Sequence, residues 1–336
     1  MLGNNISSYY IDSTLNEHFI PRVGDTGVFI VDTVGKTNTL QLAGGSTIRL
    51  KPGQQFLGVF GNRRSLGILE GYLPDKPVQQ LNLLGKGGLV GVVPEKKERG
   101  GGPTTLRLVG FACSSPEEVL NIRNLVTVPR AGTDPFSHKR VILSVGTSQY
   151  SGRTSSSASL VEGISSLKKK VAYLKITGMA DQRDLDSCRE KGATFVGDFT
   201  RVGYPSTYLL KEEELVAIFT SLLQLAYSYG PEVIIIELSD GMNEQESKML
   251  LTNEHFMHTV EAVVLSSGDS ISAIHGLEKL EELGYKPLAI SGLFTVSPML
   301  VDKVKNLTDV PVYNFEELSR KCKVMLFPED PTMKPG

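Results

Sequence analysis

The pattern of hydrophobic and polar positions changes near the middle of the chain. Between residue 24 and about residue 112, the apolar residues form short runs, and Gly, Pro or Asn bounds each run. The runs are GVFIVDTV, TLQL, TIRL, QFLGVF, GILEGYL, LVGVV and TLRLVGF. Short strands with a turn signal about every 8 to 12 residues predict a small antiparallel β-barrel or sandwich. Ser115 to Asn121 is predicted to form one short helix.

In the second half of the chain, strand-like runs alternate with amphipathic helical patterns. The predicted strands are 140–145, 171–176, 194–197, 232–238, 260–265 and 287–291. The predicted helices include one that begins at residues 153–155, with an apolar stripe from Ala158 to Leu167, and those over 212–229, 270–283 and 298–306. Continuous apolar runs such as VIIIEL are typical of strands that are covered on both faces. The alternation predicts an α/β fold with a doubly wound, mostly parallel sheet, whose ligands bind at the carboxyl ends of the strands.

The boundary between these two patterns is rich in proline and glycine. The segment TVPRAGTDPFSH holds two prolines and one glycine, which is typical of a linker. A chain of 336 residues is long enough for two hydrophobic cores. We therefore predict a β-rich N-terminal domain over 1–126, a linker over 127–138 and an α/β domain over 139–330.

Composition narrows the classes of partner and compartment. The net charge of −2 gives no reason to expect nucleic acid as a partner. The three cysteines are isolated and lack CxxC spacing, which favours a reducing compartment over a disulfide framework. No signal peptide is visible, and no apolar run approaches the roughly 20 residues that a membrane helix needs. We expect a cytoplasmic protein with a small-molecule substrate and without a membrane partner; a homo-oligomer is compatible with the sequence.

The segment VILSVGTSQYSGRTSSS, residues 141–157, has the outline of a phosphate-binding loop between a strand and a helix. Glycines permit close backbone approach, successive N–H groups surround phosphate oxygens, and the helix N-terminus adds positive potential. Five residues separate the two glycines, and arginine stands before Thr154, whereas the common motif has four residues and lysine. The residues predicted to bind nucleotide are Gly146, Thr147, Ser148, Ser151, Gly152, Arg153, Thr154 and Ser155. A flexible Gly/Ser loop before an ordinary helix is the alternative interpretation.

GTSQYSGRT resembles the GTxxxxGKT loop of one branch of P-loop proteins at every fixed position except the lysine. That branch contains dethiobiotin synthetase, cobyrinic acid a,c-diamide synthase and the small P-loop protein of molybdopterin-guanine dinucleotide biosynthesis. The overall layout also resembles uncharacterised bacterial proteins with a β-rich front domain, which are loosely related to the family of a D-glutamate N-acetyltransferase. The resemblance implies ATP and Mg²⁺ as cofactors.

Two predicted strand ends near this loop carry charged side chains. YLKITG ends its strand with Lys175, Thr177 and Gly178, and VIIIELSDG ends its strand with Glu237. A lysine inside an apolar strand is costly unless it serves a site, and the resemblance places a lysine on phosphate and substrate here. Lys175 is therefore a candidate catalytic residue together with Arg153, unless its amine merely reaches solvent. Lys175, Thr177 and Gly178 are also candidate substrate contacts.

Glu237 is the predicted acidic partner of the loop, because it can hold Mg²⁺ or its water shell opposite Thr154. Asp240 follows it closely and can instead cap the next helix. Three acids, Asp181, Asp184 and Asp186, suit the first turns of a helix, and Asp181 can alternatively reach Mg²⁺.

A third strand end, GDFTRVGYPSTYLL, is rich in polar residues. Arg201, Ser206 and Thr207 are candidates for binding a second substrate there. The alternative interpretation is that Ser206 and Thr207 only begin the following helix.

Three functions are compatible with these features. The first is activation of a carboxylate or amine of a small metabolite by phosphoryl transfer from Mg-ATP. The second is an N-acyltransferase in which the loop holds a phosphate of an acyl carrier such as coenzyme A. The third is a nucleotide-binding or assembly protein without hydrolysis, because Arg153 replaces the lysine of the common loop.

Overall fold

The computed structural model describes residues 8–42, 45–65, 69–94, 102–127 and 140–327. Residues 128–138 of the predicted linker lie outside this set. The chain divides into two compact units. The first unit comprises Met1–Val128, Met179–Gln182 and Phe199–Leu209, and the second comprises Pro129–Gly178, Arg183–Asp198 and Leu210–Gly336.

The described part of the first unit is built from short strands. They are β1 Tyr10–Asp12, β2 Thr26–Thr33, β3 Thr39–Gln41, β4 Thr47–Arg49, β5 Gln55–Phe60, β6 Arg63–Ser65, β7 Leu69–Gly71, β8 Gln80–Gly85, β9 Leu89–Gly91, β10 Thr105–Ser115 and β11 Glu118–Val119. Three 3-10 turns belong to the described part of this unit, at Thr14–Glu17, Ile122–Leu125 and Phe199–Val202.

Five of these strands close into a barrel. The hydrogen-bonded order is β10-β2-β5-β9-β8, and β8 pairs back to β10. Four of the five pairings are antiparallel, whereas β5 and β9 are parallel. Apolar side chains fill the core, including Phe29, Phe60, Leu83, Leu106 and Phe111. The predicted small β-barrel is therefore confirmed, with one parallel pair that the sequence pattern did not indicate.

The predicted helix over Ser115–Asn121 is wrong. Strand β10 continues to Ser115, a turn follows at Pro116 and Glu117, and β11 pairs back onto β10. Glu117 has a φ of 62°, which is left-handed and incompatible with a helix. The hydroxyls of Ser114 and Ser115 both donate to the Glu118 carboxylate. These local bonds stabilise a hairpin, because Ser side chains compete with helical hydrogen bonding.

The second unit alternates strands and helices. Its strands are β12 Arg140–Gly146, β13 Val171–Lys175, β14 Phe195–Asp198, β15 Val233–Leu238, β16 Ala262–Ser266 and β17 Pro287–Ser291. Its helices are α1 Arg153–Ser166, α2 Gln182–Glu190, α3 Glu212–Tyr227, α4 Gln245–Leu251, α5 Glu254–Thr259, α6 Ser270–Glu282, α7 Pro298–Lys305 and α8 Phe315–Leu326. A 3-10 turn spans Leu293–Val296.

The six strands form one parallel sheet in the order β14-β13-β15-β12-β16-β17. Side chains of α1, α2 and α8 pack on one face of this sheet. Residues on both faces of the strands are buried; every residue of β13 and β15 is one of them. The parallel order of these six strands confirms the predicted α/β fold. The strands are almost entirely apolar because both of their faces are covered.

All six carboxyl ends of the strands lie at the same edge of the sheet, since the strands are parallel. The loop from β12 to α1 leaves this edge between β15 and β16. Among the described helices of the whole chain, none is long and apolar enough to cross a membrane.

Candidate functional site

The loop between β12 and α1 is held by backbone hydrogen bonds from three neighbouring segments. Thr147 N donates to Ser266 O over 2.9 Å, Met242 N donates to Gly146 O over 2.8 Å, and Leu293 N donates to Ser151 O over 3.0 Å. The ends of β15, β16 and β17 therefore fix the loop. Neighbouring parallel strands thus provide a rigid support for it.

Both glycines of the loop are required by close packing. A Cβ on Gly146 would lie 2.2 Å from the Ser151 Oγ, and a Cβ on Gly152 would lie 2.9 Å from the Leu293 N. Gly152 also has a φ of +88° and precedes the first residue of α1. A side chain is disfavoured at such a φ. The spacing of these glycines is therefore dictated by the shape of the loop.

Several backbone N–H groups of the loop lack an acceptor within the described residues. The amides of Tyr150 and of Gly152 to Ser155 make no hydrogen bond there, whereas Thr147 N donates to Ser266 O and Gln149 and Tyr150 lie in a hydrogen-bonded turn. The last three belong to the first turn of α1, where N–H groups have no helical partner. Such a series of free donors at a helix N-terminus attracts an anion through both hydrogen bonding and the helix dipole.

Glu237 lies at the end of β15, is fully buried and accepts hydrogen bonds from four hydroxyl groups. Thr154 and Ser239 donate to its Oε1, each over 3.0 Å. Ser157 and Tyr173 donate to its Oε2 over 3.0 Å and 2.9 Å. The structure thus brings Thr154 and Glu237 together. Hydrogen bonds to an ionised carboxylate stabilise its charge in a buried site.

Three of these hydroxyl donors, Ser157, Tyr173 and Ser239, were not predicted from the sequence. Ser157 follows Thr154 by three residues on α1, and this spacing places both on one helix face. Tyr173 and Lys175 point to the same side of β13, because side chains alternate along a strand. Periodicity therefore offered a signal for both residues.

Arg153 is folded back onto the loop and is only 8% exposed. Its Nη1 donates to Ser148 O over 2.8 Å, and its Nε lies 3.8 Å from Oε1 of Glu237. The guanidinium therefore joins the start of the loop to the acidic residue of β15. Its charge also compensates the buried Glu237 carboxylate.

Lys175 is buried, and its Nζ forms an ion pair with Asp184 of α2. The strand register places Lys175 directly beside Glu237 of β15 and Asp198 of β14. Burial alone lowers the pKa of Lys175, but the carboxylates of Asp184, Glu237 and Asp198 outweigh burial and raise it. The interpretation in which its amine reaches solvent is wrong, since the side chain is 4% exposed.

Thr177 and Gly178 continue the chain after β13. The Thr177 hydroxyl is buried and accepts a hydrogen bond from Ser239 N over 2.9 Å. Gly178 has a φ of +103°, and a Cβ there would lie 2.7 Å from the Ser239 Cβ. Both residues therefore connect the end of β13 to the end of β15.

Arg201, Ser206 and Thr207 belong to the first unit, although the predicted P-loop domain included them. Ser206 and Thr207 are buried, whereas Arg201 is exposed. The Ser206 hydroxyl donates to Asn62 O over 2.5 Å, and Ser206 forms a β-bridge with Met179. Their predicted role in substrate binding stays a prediction.

Asp240 does not cap α4, which was the alternative role that the sequence offered for it. The helix begins at Gln245 after the N-cap Glu244. The Asp240 carboxylate makes no hydrogen bond or ion pair within the described residues. Desolvation by burial raises its pKa to about 6, although Arg153 and Lys175 act to lower it.

Comparison with known proteins gave matches among solved structures alone. No family model matches the chain, and no curated protein matches it. The signal recognition particle receptor FtsY from Elizabethkingia anophelis is 17% identical over 61% of this chain and 74% of that chain, with a TM-score of 0.36.

Two further solved structures show a similar degree of likeness. A nucleotide-binding protein from Archaeoglobus fulgidus, solved with ADP, is 15% identical over 56% of this chain and 88% of that chain, with a TM-score of 0.34. A ParA family ATPase from Chlorobium tepidum is 14% identical over 57% of this chain and 93% of that chain, with a TM-score of 0.34. Membership of the dethiobiotin synthetase-like group stays a prediction.

Proposed function

We propose that the second unit binds a nucleoside triphosphate with Mg²⁺ at the loop from Gly146 to Ser155. The observation that carries this proposal is the set of five amides, those of Tyr150 and of Gly152 to Ser155, without an acceptor within the described residues. Two or more phosphate groups supply the oxygens that such a set of donors requires. A simple Gly/Ser turn before a helix does not need the tight packing of Gly146 and Gly152.

The side chains at the start of α1 fit a magnesium ion. The Thr154 hydroxyl donates a hydrogen bond to Glu237. The lone pairs of the Thr154 oxygen therefore stay available for a hard cation. Both oxygens of Glu237 already accept hydroxyl protons, which suits an outer-shell carboxylate that orients the ligand. Bound Mg²⁺ would neutralise charge on the phosphates. Thr154 would hold it, and Glu237 would orient Thr154 through the hydrogen bond that it accepts.

Arg153 supports nucleotide binding more than phosphoryl transfer. Its Nη1 is engaged by Ser148 and its Nε lies beside Glu237, so the guanidinium fixes the loop. A compact lysine ammonium placed on the phosphates is what the common loop contributes. We therefore expect the isolated protein to bind Mg-nucleotide with slow or no hydrolysis.

The reaction class that fits these groups is phosphoryl transfer from the nucleotide to a small metabolite. Thr177 and Gly178 follow β13, and Asp240 follows β15, which is the neighbour of the strand that leads into the loop. Lys175, the last residue of β13, contributes its positive charge without a direct contact to substrate, since its amine pairs with Asp184. Among the residues predicted to bind the substrate, Thr177 and Gly178 lie in this unit just beyond the carboxyl end of β13.

Isothermal titration of the full chain with ATP, in the presence and absence of Mg²⁺, tests the proposal. We expect Mg-ATP binding that pyrophosphate competes with, because the loop recognises phosphate and not the base. At a concentration a hundred times Kd, the nucleotide stabilises the protein by about 2.7 kcal/mol, which a thermal melt detects. GTP and acetyl-CoA are titrated as separate ligands. Absence of heat with Mg-ATP together with absence of competition by pyrophosphate would contradict the proposal.

A further inference from the structure

Asp240 is an ionisable group next to the loop that the interactions described so far do not use. It lies two residues beyond β15 and is half-buried. The neighbouring acid Glu237 accepts hydrogen bonds from four hydroxyl groups, whereas no donor in the described part of the chain reaches the Asp240 carboxylate. A partly desolvated carboxylate without a donor is unfavourable. Such a group is retained in a protein most readily when a ligand or a reaction uses it.

Backbone geometry keeps the carboxylate close to the loop and to the end of β13. A Cβ on Gly241 would lie 2.9 Å from the Ser148 Cα. The residue after Asp240 therefore packs its backbone against the loop from Gly146 to Ser155. A Cβ on Gly178 would lie 3.5 Å from both Asp240 carboxylate oxygens. The absence of a side chain at Gly178 therefore leaves the space in front of these oxygens open.

The charges around Asp240 come from three elements. They are Arg153 on α1, Lys175 on β13, and Glu244 and Glu246 at the start of α4. Arg153 pairs with Glu237, and Lys175 pairs with Asp184. Because both cations have other partners, desolvation outweighs them, and the pKa of Asp240 rises to about 6. A carboxylate with a pKa near 6 is ionised at neutral pH and still basic enough to accept a proton.

We propose that Asp240 is the general base of the phosphoryl transfer, and that the acceptor is therefore an amine, hydroxyl or water and not a carboxylate. This inference rests on the proposed function. As the acceptor N–P or O–P bond forms at the γ-phosphorus, the bond from that phosphorus to the β,γ-bridging oxygen breaks. Its electron pair leaves with the nucleoside diphosphate. The acceptor N–H or O–H proton passes to a carboxylate oxygen of Asp240. A carboxylate acceptor carries no proton at neutral pH and needs no base.

A transition-state analogue tests this role with water as the acceptor. The full chain is titrated with Mg-ADP alone and with Mg-ADP plus aluminium fluoride, which mimics the transferring phosphoryl group. We expect the parent protein to bind the aluminium fluoride complex about 100-fold more tightly than Mg-ADP. Asp240→Asn is expected to lose most of that difference while its Kd for Mg-ADP stays within about 3-fold, because the base contributes only in the transition state.

Glu244→Gln is the matched control, because it removes another carboxylate charge that faces Asp240 by the same isosteric change. It should keep the preference for the aluminium fluoride complex. In the parent, the preference should fall as pH decreases through about 6, and in Asp240→Asn it should be flat with pH.

The outcomes separate the two proposals. If Mg-ADP and Mg-ATP do not bind the parent protein, the proposed function fails. If they bind but the parent shows no preference for the aluminium fluoride complex, or if Asp240→Asn keeps the preference, only the role of Asp240 is overturned. A loss in Glu244→Gln equal to that in Asp240→Asn would assign the effect to charge alone and would also overturn it.

Discussion

The Thr154 hydroxyl donates a hydrogen bond to Oε1 of Glu237 over 3.0 Å, which joins the first turn of α1 to the end of β15. The two residues are 83 positions apart in the sequence. This bond fixes the direction of the hydroxyl proton, so the Thr154 oxygen presents its lone pairs away from Glu237. The relationship is what makes the start of α1 suitable for a hard cation.

Substitution of Thr154 should reduce the contribution of Mg²⁺ to nucleotide binding. We expect Thr154→Ala to weaken Mg-ATP binding by about 10-fold or more, since a contact to a charged group is lost. Binding of ATP without Mg²⁺ should change little. Titration calorimetry with and without Mg²⁺ measures both. Thr154→Ser keeps the hydroxyl and should behave as the parent; equal Mg²⁺ dependence in Thr154→Ala and the parent would exclude Thr154 as a ligand.

Removal of Arg153 should destabilise the protein as well as weaken nucleotide binding. Arg153→Ala leaves the buried Glu237 without its cation and Ser148 without its donor, and loss of one partner of a buried pair costs about 3 kcal/mol. Arg153→Lys retains the charge and should lose less stability; by removing the guanidinium from the loop it should also raise nucleotide turnover. Urea denaturation and calorimetry measure the two effects.

Arg320→Ala is the control for this substitution, because its ion pair with Glu316 is exposed and such pairs contribute little. If Arg153→Ala has the stability and the nucleotide affinity of the parent, the phosphate-loop interpretation fails and an ordinary Gly/Ser turn replaces it.

Gly152→Ala should abolish most of the affinity for phosphate. Gly152 has a φ of +88°, and its added Cβ would meet the Leu293 backbone N at 2.9 Å. Gly230 has a φ of +63° and nothing within 4 Å of the added Cβ. Backbone strain costs both alanine variants about 1 kcal/mol of stability, and the contact with Leu293 adds a further loss in Gly152→Ala. Only Gly152→Ala should lose competition by pyrophosphate in calorimetry, and equal affinity in the two variants would contradict a tightly shaped loop.

Lys175 should contribute more to stability than to nucleotide affinity. Lys175→Met removes the ammonium that pairs with Asp184 and lies beside Glu237 and Asp198 in the strand register, which should cost about 3 kcal/mol in urea denaturation. Adding Asp184→Asn should recover part of that loss, as a double-mutant cycle measures. Since the folded-state pKa of Lys175 is raised above its usual value of 10.5, its stabilisation is present below pH 10.5 and is lost as pH rises through the folded-state pKa.

Asp240→Asn should stabilise the protein at neutral and alkaline pH. The pKa of Asp240 rises from 3.8 to about 6 on folding, so the folded state is penalised as pH rises from about 4 through about 6. Above that range the variant should gain about 2 kcal/mol of unfolding free energy, and at pH 4 the gain should vanish. Chemical denaturation at pH 4 and pH 8 measures it. Asp309→Asn, the same change at an exposed position of the same unit, is the matched control.

Local sequence patterns were sufficient to predict the strands of the second unit and the position of the loop between β12 and α1. All six predicted strands of that unit are present within about two residues of their predicted bounds. The helices that begin at Glu212 and Ser270 agree with their predicted bounds equally well. Hydrophobic periodicity is a local property, and strands covered on both faces must be apolar throughout. Glycine spacing similarly reports backbone shape at the loop itself.

Which polar and charged side chains meet depends on tertiary packing. The four hydroxyls on Glu237 come together through strand order and register, and Lys175 meets Asp184 where α2 follows β13, and local periodicity predicts neither contact. The strand order likewise leaves Asp240 without a partner among the described residues. Membership of Met179–Gln182 and Phe199–Leu209 in the first unit depends on packing between distant segments. Local sequence patterns describe each element, but contacts between elements far apart in sequence are selected by the packing of the whole chain.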